Sequence, residues 1–298
     1  MGQALASLGW AERMAVLARP LMRLGRLGDT SGAAFTAALF SQLMANTMLV
    51  TFQNEGRISS RELRLSYLVN TGLPVFFLHL PTTVSIIVPL VGLAGVGYLG
   101  LVFLAACLRT LLVLLYARTV PLPVEQVTEN GTATDAPLPG PRRGARDPRG
   151  ISLEIWRKFR RRFLRVALYT APIYVLIFLA HERGVFDWLR DSLTGSVNMG
   201  FLPVEAAGVI VFSLAAEFTS GVAAAGALLH AGALSPLQVV LALTLGNLVA
   251  TPVRALRHQL PSHMGLFSPR LGLELLLTSQ SLRVASLLVV AAPLLFWA

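Results

Sequence analysis

Residues 243–269, LTLGNLVATPVRALRHQLPSHMGLFSP, begin as an apolar helix and then interrupt it with polar residues and three prolines. Proline removes a backbone donor and clashes with the carbonyl one turn earlier. In hydrocarbon, the freed backbone groups must find partners in protein or in a water-filled cavity. A helix broken in this way inside a membrane therefore predicts a cavity, and the half-helix ends direct partial charges toward whatever binds there.

The composition of the whole chain supports a membrane location. Hydrophobic residues make up 54% and charged residues 13%, and the mean hydropathy is +0.65, against roughly 45 to 50% and about 25% in soluble domains. Long stretches carry no Asp, Glu, Lys or Arg, and they have the length of membrane-crossing helices. We expect an all-α, polytopic membrane protein with about seven spans or broken spans, in the cell membrane and specifically a bacterial inner membrane. The uncharged stretches are 30–54, 65–108, 166–180 and 218–253.

The net charge of +10 is concentrated in one segment. Residues 142–165 contain ten Arg and Lys against two acidic residues. This cluster precedes a hydrophobic stretch, which is where the positive-inside rule places cytoplasmic basic residues. Anionic lipid headgroups are a further expected partner at 157–165, and no nucleic-acid partner is expected.

An internal repeat is the second informative pattern. Offsets of 176, 180 and 174 residues align similar positions of the two halves, and the changing offset requires short gaps. Offset 176 aligns Asp29 with Glu205, Gly32 with Gly208, Gly56 with Gly232 and Ser59 with Ser235; offset 180 aligns Pro81 with Pro261, Pro89 with Pro269 and Gly92 with Gly272; offset 174 aligns Arg109 with Arg283.

The repeat predicts four regions. Residues 1–118 form a first repeat with an N-terminal amphipathic helix, 119–163 a cytoplasmic linker rich in Pro and Arg, 164–181 a connecting transmembrane helix, and 182–298 a second repeat. Each repeat is expected to contain a long span (30–52; 203–229), a proline-broken span (62–92; 236–272) and a final span with one Arg. Inverted and parallel repeats both remain open. The predicted hinges are Pro74, Pro81, Pro252 and Pro261.

Polar residues near the predicted breaks are the candidates for substrate binding. Asn247 and Thr251, with Asn70 and Thr71 in the first half, are placed to line a cavity; the alternative is that they join helices through hydrogen bonds. Glu217 in the second long span is expected to bind substrate together with Thr219 and Ser220. Ser41 and Gln42 align with Glu217 in the first half. The full predicted set is Glu217, Thr219, Ser220, Asn247, Thr251, Ser41, Gln42, Asn46, Asn70 and Thr71.

Ionisable residues inside spans are costly and therefore candidates for function. The Glu217 carboxylate is suited to binding a cation, accepting a transported proton or holding a ribose hydroxyl, and the alternative is a buried salt bridge to Arg109 or Arg283. For these two arginines, structural pairing and binding of an anionic substrate are both open. The histidines lack the tight spacing of a metal site, and we expect no bound metal or cofactor.

Two strings resemble the nucleoside recognition or Gate domain, which occurs in ferrous iron transport protein B and in spore maturation protein A. They are residues 213–261, SLAAEFTSGVAAAGALLHAGALSPLQVVLALTLGNLVATPVRALRHQLP, and 27–60, LGDTSGAAFTAALFSQLMANTMLVTFQNEGRISS. Gly246, Asn247, Thr251 and Pro252 are similar to the Gly-Asn-Ala-Ala-Thr-Pro run of the spore maturation branch, with one residue more. The chain departs from the iron transporter in lacking a Gly-x4-Gly-Lys-Ser/Thr motif, and its single cysteine, Cys107, offers no cysteine-based metal path.

These patterns predict a permease, or a component of one, that moves a small polar solute (nucleoside-like) or an ion through a cavity between the repeats. The alternative is a non-transport assembly or signalling protein of the spore-maturation type. No enzymatic activity is expected, because no catalytic constellation is recognisable. Expected partners are the lipid bilayer, the substrate, and a second copy of the chain or another membrane subunit.

Overall fold

The computed structural model of this chain describes residues 18–119, 175, 179, 182–184, 202–203, 205–215 and 218–296. Every regular element within these residues is helical, so the predicted all-α class is confirmed. Three helices of this part are long and apolar enough to cross a membrane: Ser60–Thr119, Pro236–Leu266 and Pro269–Leu294. Most of the predicted amphipathic helix, linker and connecting helix lies outside the described residues.

Four helices of the first half lie wholly within the described residues: α1 (Asp29–Ala38), α2 (Gln42–Asn54), α3 (Ser60–Asn70) and α4 (Leu73–Thr119). The prediction of one long span over 30–52 is wrong, because α1 and α2 are separate helices. Ser41 adopts an extended conformation between them, and its hydroxyl accepts a hydrogen bond from the Met44 N–H. Serine commonly starts a helix in this manner, since its side chain satisfies a free amide of the first turn.

Helix α4 is a hairpin with two arms, 73–91 and 93–119. Gly92 lies between them with φ 57° and ψ −132°, a conformation that favours glycine. The Leu73 N–H reaches the Thr110 hydroxyl at 3.1 Å, and the rings of Phe76 and Phe103 are 5.2 Å apart. A straight helix would separate Leu73 from Thr110 by about 55 Å. The chain therefore reverses at Gly92, and the candidate span Ser60–Thr119 is not one straight rod.

The second half begins with α5 (Glu205–Ala215) and α6 (Phe218–His230), which pack against each other. A Cβ atom on Gly221 would lie 2.9 Å from the Val209 carbonyl oxygen, so the two helices approach at backbone distance. The predicted long span over 203–229 is thus also wrong as a single helix. Residues 216–217, between the two helices, are outside the described part.

The rest of the second half forms the broken span and the last helix. Its elements are α7 (Pro236–Arg254), a π-helical turn (Ala255–Gln259), α8 (Leu260–Leu266), α9 (Pro269–Ala291) and a 3₁₀ turn (Ala292–Phe296). A Cβ atom on Gly272 would lie 2.6 Å from the His263 carbonyl oxygen, so α8 and α9 also form a close hairpin.

Helix starts recur at the offset of 176 residues that the sequence showed. The helices α1, α2 and α3 begin at Asp29, Gln42 and Ser60, and α5, α6 and α7 begin at Glu205, Phe218 and Pro236. The capping serines also correspond: Ser59 accepts from the Glu62 N–H, and Ser235 accepts from the Gln238 N–H. Gly56 and Gly232, three residues before these serines, have φ values of 72° and 70°.

The two halves share a core and are joined by polar contacts. Buried residues of α4 such as Ile87 and Tyr98 pack in one cluster with Val222 of α6 and Leu243 of α7. Between α3 and α9, the guanidinium of Arg64 lies 2.8 Å from the carboxylate of Glu274. The halves are therefore packed against one another over both apolar and polar surfaces.

Tyr67 of α3 and His263 of α8 form a further contact between the halves. The Tyr67 hydroxyl lies 2.8 Å from His263 Nε2, and His263 Nδ1 lies 2.8 Å from the Gln259 carbonyl oxygen. A carbonyl oxygen only accepts, so Nδ1 carries the proton of a neutral ring and Nε2 accepts from the tyrosine. This chain of hydrogen bonds ties the first half to the broken span of the second.

We expect Gly226→Ala to destabilise the protein by about 1 to 3 kcal/mol. A Cβ atom at this position would lie 2.6 Å from the Leu90 carbonyl oxygen, where α6 meets the first arm of α4. Gly208→Ala is the matched control, since a Cβ atom there has no neighbour within 4 Å. Thermal unfolding in detergent measures both, and equal midpoints would contradict the close approach of the two halves.

Tyr67→Phe is expected to lower stability by about 1 kcal/mol or more, because it leaves the His263 Nε2 acceptor without its donor. Tyr116→Phe serves as the control, since Tyr116 is 63% exposed and its hydroxyl makes no hydrogen bond within the described residues. Denaturant or thermal unfolding compares the two variants. A loss of the same size in both would show that the contact between the halves contributes nothing.

Candidate functional site

A cavity of about 450 Å³ lies between the two halves. Both arms of α4 line it from the first half, and α6, α7, the π-helical turn and α9 line it from the second. Its size falls in the range of small-molecule sites, roughly 300 to 1,000 Å³. The polar and charged residues among its lining are His79, Thr82, Thr83, Tyr98, Arg109, Thr219, Asn247, Thr251, Arg254, His258, Gln259 and Arg283.

The first-half wall depends on a helix break at Thr71 and Gly72, between α3 and α4. The break leaves backbone groups that need partners. Arg109, which is only 6% exposed, donates from Nη2 to the Thr71 carbonyl oxygen at 2.8 Å. The Thr110 hydroxyl accepts from the Leu73 N–H at 3.1 Å. The second arm of α4 thus supplies hydrogen-bond partners for the backbone groups at the break. The same arm also brings Arg109 to the cavity.

The second-half wall depends on the π-helical turn that follows Pro252. Pro252 offers no N–H to the helix, and the turn of five residues after it has the wider spacing of a π-helix. Such turns inside α-helices are frequent at functional sites. Arg254, before the turn, and His258 and Gln259, inside it, all reach the cavity.

A short chain of hydrogen bonds runs along α7 beside the turn. The Thr251 hydroxyl donates to Asn247 Oδ1 at 2.5 Å, and Arg254 Nη2 lies 3.5 Å from the Thr251 oxygen. The side chains of Asn247 and Thr251 are buried. Asn247 and Thr251 lie on the same face of α7, because residues four apart in a helix are neighbours on its surface.

The cavity has a strongly positive lining. Three arginines, Arg109, Arg254 and Arg283, line it, and its described lining contains no Asp or Glu. Arg283 is close enough to both other arginines, and to His79, for its charge to act on them. The Arg109 Nε atom is buried without a hydrogen-bond partner in the described part of the chain. The basic side chains among the described lining therefore outnumber the acidic ones.

Three of the ten predicted binding residues line the cavity: Thr219, Asn247 and Thr251. Glu217, the residue that the sequence singled out, lies outside the described residues. Ser220 is described but is not part of the lining. In the second half, the structure thus brings together the two residues of the Gly-Asn-x-x-x-Thr-Pro string and Thr219.

The predicted residues of the first half have other surroundings. Ser41 caps α2, and Gln42 Nε2 donates to the Asn70 carbonyl oxygen at 2.7 Å. The Thr71 carbonyl oxygen accepts from Arg109, and Arg109 lines the cavity. Asn46 Oδ1 and both amide atoms of Asn70 are buried without hydrogen-bond partners among the described residues. None of these five side chains is part of the cavity lining.

The predicted hinge prolines occupy different places in their helices. Pro74 is the second residue of α4, directly after the break at Thr71 and Gly72, whereas Pro81 lies inside the first arm. Pro252 is inside α7 and precedes the π-helical turn. Pro261 follows that turn as the second residue of α8.

Sequence reasoning missed several residues that the structure places at or near the site. Arg254, Tyr98 and Gln259 line the cavity but were not assigned a role. A signal existed for Arg254, since it and His258 are four residues apart and therefore share a helix face after Pro252. Glu62 was also missed: it is buried, accepts from the Ser31 hydroxyl at 2.8 Å, and holds the start of α1.

Other candidate sites are less suited to a polar ligand. A groove of about 530 Å³ beside the second arm of α4 is lined mainly by aliphatic residues, together with Cys107 and Thr110. Within the described ranges, no three His, Cys, Asp or Glu residues lie together as metal ligands would.

The chain is similar to three uncharacterised archaeal proteins, all from Methanocaldococcus jannaschii. Uncharacterized protein MJ1556 is 24% identical, over 95% of this chain and 87% of the relative. MJ0871 is 20% identical (98% and 88%), and MJ0880 is 21% identical (90% and 84%). No protein-family description and no solved structure matches the chain. These relatives share most of the length of the chain, and their names give no activity.

Thr110→Val is expected to destabilise the protein by about 1 to 3 kcal/mol, because the Leu73 N–H at the helix break loses its acceptor. Thr51→Val is the control: each threonine donates to a carbonyl four residues earlier, but Thr51 caps no break. Thermal unfolding in a lipid nanodisc compares the two variants. Equal losses would contradict the capping role of Thr110.

Proposed function

We propose that this protein is a multi-pass membrane permease, or the membrane component of one, that moves a small polar or charged solute through the cavity between its halves. The observation that carries the proposal is the cavity itself, about 450 Å³ in volume, with polar residues on walls from both halves. Polar groups inside membrane helices are costly and usually mark a solute pathway. The inner membrane of a bacterial cell is the location we assign to it.

Two matching halves support a transport mechanism. The helices that begin at Asp29, Gln42 and Ser60 have counterparts 176 residues later, and each half contains a broken helix whose interruption lies beside the cavity. In many transporters, broken helices of two repeats form the site near the middle of the bilayer, and the repeats move against each other to expose it alternately. We assign the same alternation to this chain.

The resemblance to the Gate domain fits this assignment. Asn247 and Thr251 of its most distinctive string lie on the cavity wall, and Pro252 lies three residues before the start of the π-helical turn. The string thus coincides with the part of the second half that combines an interrupted helix with polar lining. This coincidence supports a role of the Gate-like residues in solute binding.

Thiol accessibility tests the proposal without knowledge of the substrate. In a Cys107→Ala background, Thr219→Cys places a thiol on the cavity wall. We expect a charged, membrane-impermeant methanethiosulfonate reagent to label it in both right-side-out and inside-out vesicles, because an alternating cavity opens to each side in turn. Mass spectrometry measures the labelled fraction.

Leu104→Cys is the control in the same background. Leu104 is 56% exposed in the middle of the second arm and lines the aliphatic groove, so a thiol there faces hydrocarbon and is expected to stay unlabelled. Labelling of Thr219→Cys from one side only, or from neither, would contradict transport and favour an assembly or signalling protein, which needs no cavity open to both sides.

A further inference from the structure

We propose that the solute taken by this cavity is a small anion, recognised through a carboxylate or phosphoryl oxyanion that Arg109 and Arg283 bind from opposite halves. This inference rests on the proposed function and adds the chemical class of the substrate. It also decides between the two roles, structural pairing and substrate binding, that the sequence left open for these arginines.

The charge of the described lining is the first observation. Arg109 comes from the second arm of α4, Arg254 from α7 and Arg283 from α9, and no Asp or Glu in the described part joins them in the lining. The ion pairs of Arg57 with Glu55 and of Arg64 with Glu274, both among the described residues, involve neither Arg109 nor Arg283. A cation would meet repulsion from these two guanidinium groups, whereas an anion is attracted by both of them.

Glu217 precedes the cavity-lining residues Phe218 and Thr219 in the sequence and is outside the described residues. The lining among the described residues holds three guanidinium groups and no carboxylate.

Arg283 is the second observation. It lines the cavity from the last helix, and its guanidinium makes no hydrogen bond or ion pair within the described part of the chain. A guanidinium carries five N–H donors, and its burial in a membrane protein is costly without a partner. A carboxylate or phosphate fits its planar fork with two parallel hydrogen bonds. The structure supplies the donors, and the ligand supplies the acceptors.

The neighbouring polar groups favour the same ligand. Asn247 Oδ1 accepts from Thr251, and the same side chain carries an NH₂ donor. Arg109 is held in place by the Thr71 carbonyl, and its Nε–H has no partner among the described residues. Donors of both halves thus surround the cavity. An anion bound between them would also link the spans that have to move during transport.

The test uses full-length protein in nanodiscs of phosphatidylcholine at constant ionic strength. Thermal unfolding is followed with four probes: inorganic phosphate, succinate, uridine and magnesium chloride. We expect phosphate or succinate to raise the unfolding temperature in a concentration-dependent manner, because a ligand that binds the folded state stabilises it. Uridine and magnesium ions are expected to leave it unchanged.

Arg283→Gln is the informative variant, since it keeps a hydrogen-bonding side chain and removes the charge. We expect it to weaken the apparent affinity for the anion by about 10-fold or more, and Arg283→Lys to give an intermediate loss because lysine lacks the fork. Arg270→Gln is the matched control: it removes one exposed arginine of the same helix α9, outside the cavity lining. Arg109→Gln is less informative, because it also releases the Thr71 carbonyl.

Repeating the series in phosphatidylglycerol nanodiscs separates two sources of the same chemistry. A free anion stabilises the protein in either lipid. A lipid headgroup stabilises it in phosphatidylglycerol alone, again with loss in Arg283→Gln. Stabilisation by uridine or magnesium without any anion effect, no anion effect in either lipid, or equal affinities in Arg283→Gln and Arg270→Gln would each overturn the proposal.

The outcome is independent of the accessibility test described above. If Thr219→Cys is labelled from both sides while no anion binds, the permease assignment stands and the substrate class is wrong. If an anion binds through Arg283 while Thr219→Cys is labelled from one side only, the site is an anion site of a protein that does not transport.

Discussion

The structure depends on one constraint: a helix that is interrupted in the protein interior must still satisfy its backbone hydrogen-bonding groups. At the first break, Thr71 offers a carbonyl oxygen and Leu73 an N–H group. Arg109 and Thr110, adjacent residues on the second arm of α4, meet these two groups. The hairpin that reverses at Gly92 is what returns this arm to the break. The cavity, the buried arginine and the hairpin are therefore consequences of the same requirement.

The two halves meet this constraint differently. The first half stops helix α3 and begins α4 after Gly72, where a Cβ atom would collide with the Thr110 hydroxyl, so only glycine allows the arm to approach. The second half keeps its helix and widens it through the π-helical turn after Pro252. This difference explains why the polar lining is unequal. The side chains of Asn247 and Thr251 reach the cavity, whereas near its own break the first half contributes Arg109, which the Thr71 carbonyl oxygen holds.

Sequence patterns predicted the helical class, because long uncharged apolar stretches favour membrane-crossing helices. They did not predict that 30–52 forms two helices, since the extended conformation of Ser41 depends on a single capping hydrogen bond within an apolar run. They also did not reveal the hairpin at Gly92, because one glycine among many gives no distinctive signal. Arg254 was missed although it shares a face of α7 with Thr251 and Asn247, three and seven residues earlier.

The arginines give the strongest constraint on the chemistry of the site. A guanidinium group cannot lose its charge in a protein as a carboxyl group does, so its burial has to be compensated by partners. Arg64 has such a partner in Glu274, near the surface between the halves. Arg283 lies deeper and has no such partner in the described part of the chain. A protein that needed only to join its halves would gain more from a pair such as Arg64 and Glu274. Retaining Arg109 and Arg283 at one cavity is explained when a transient negative ligand supplies acceptors for their N–H groups.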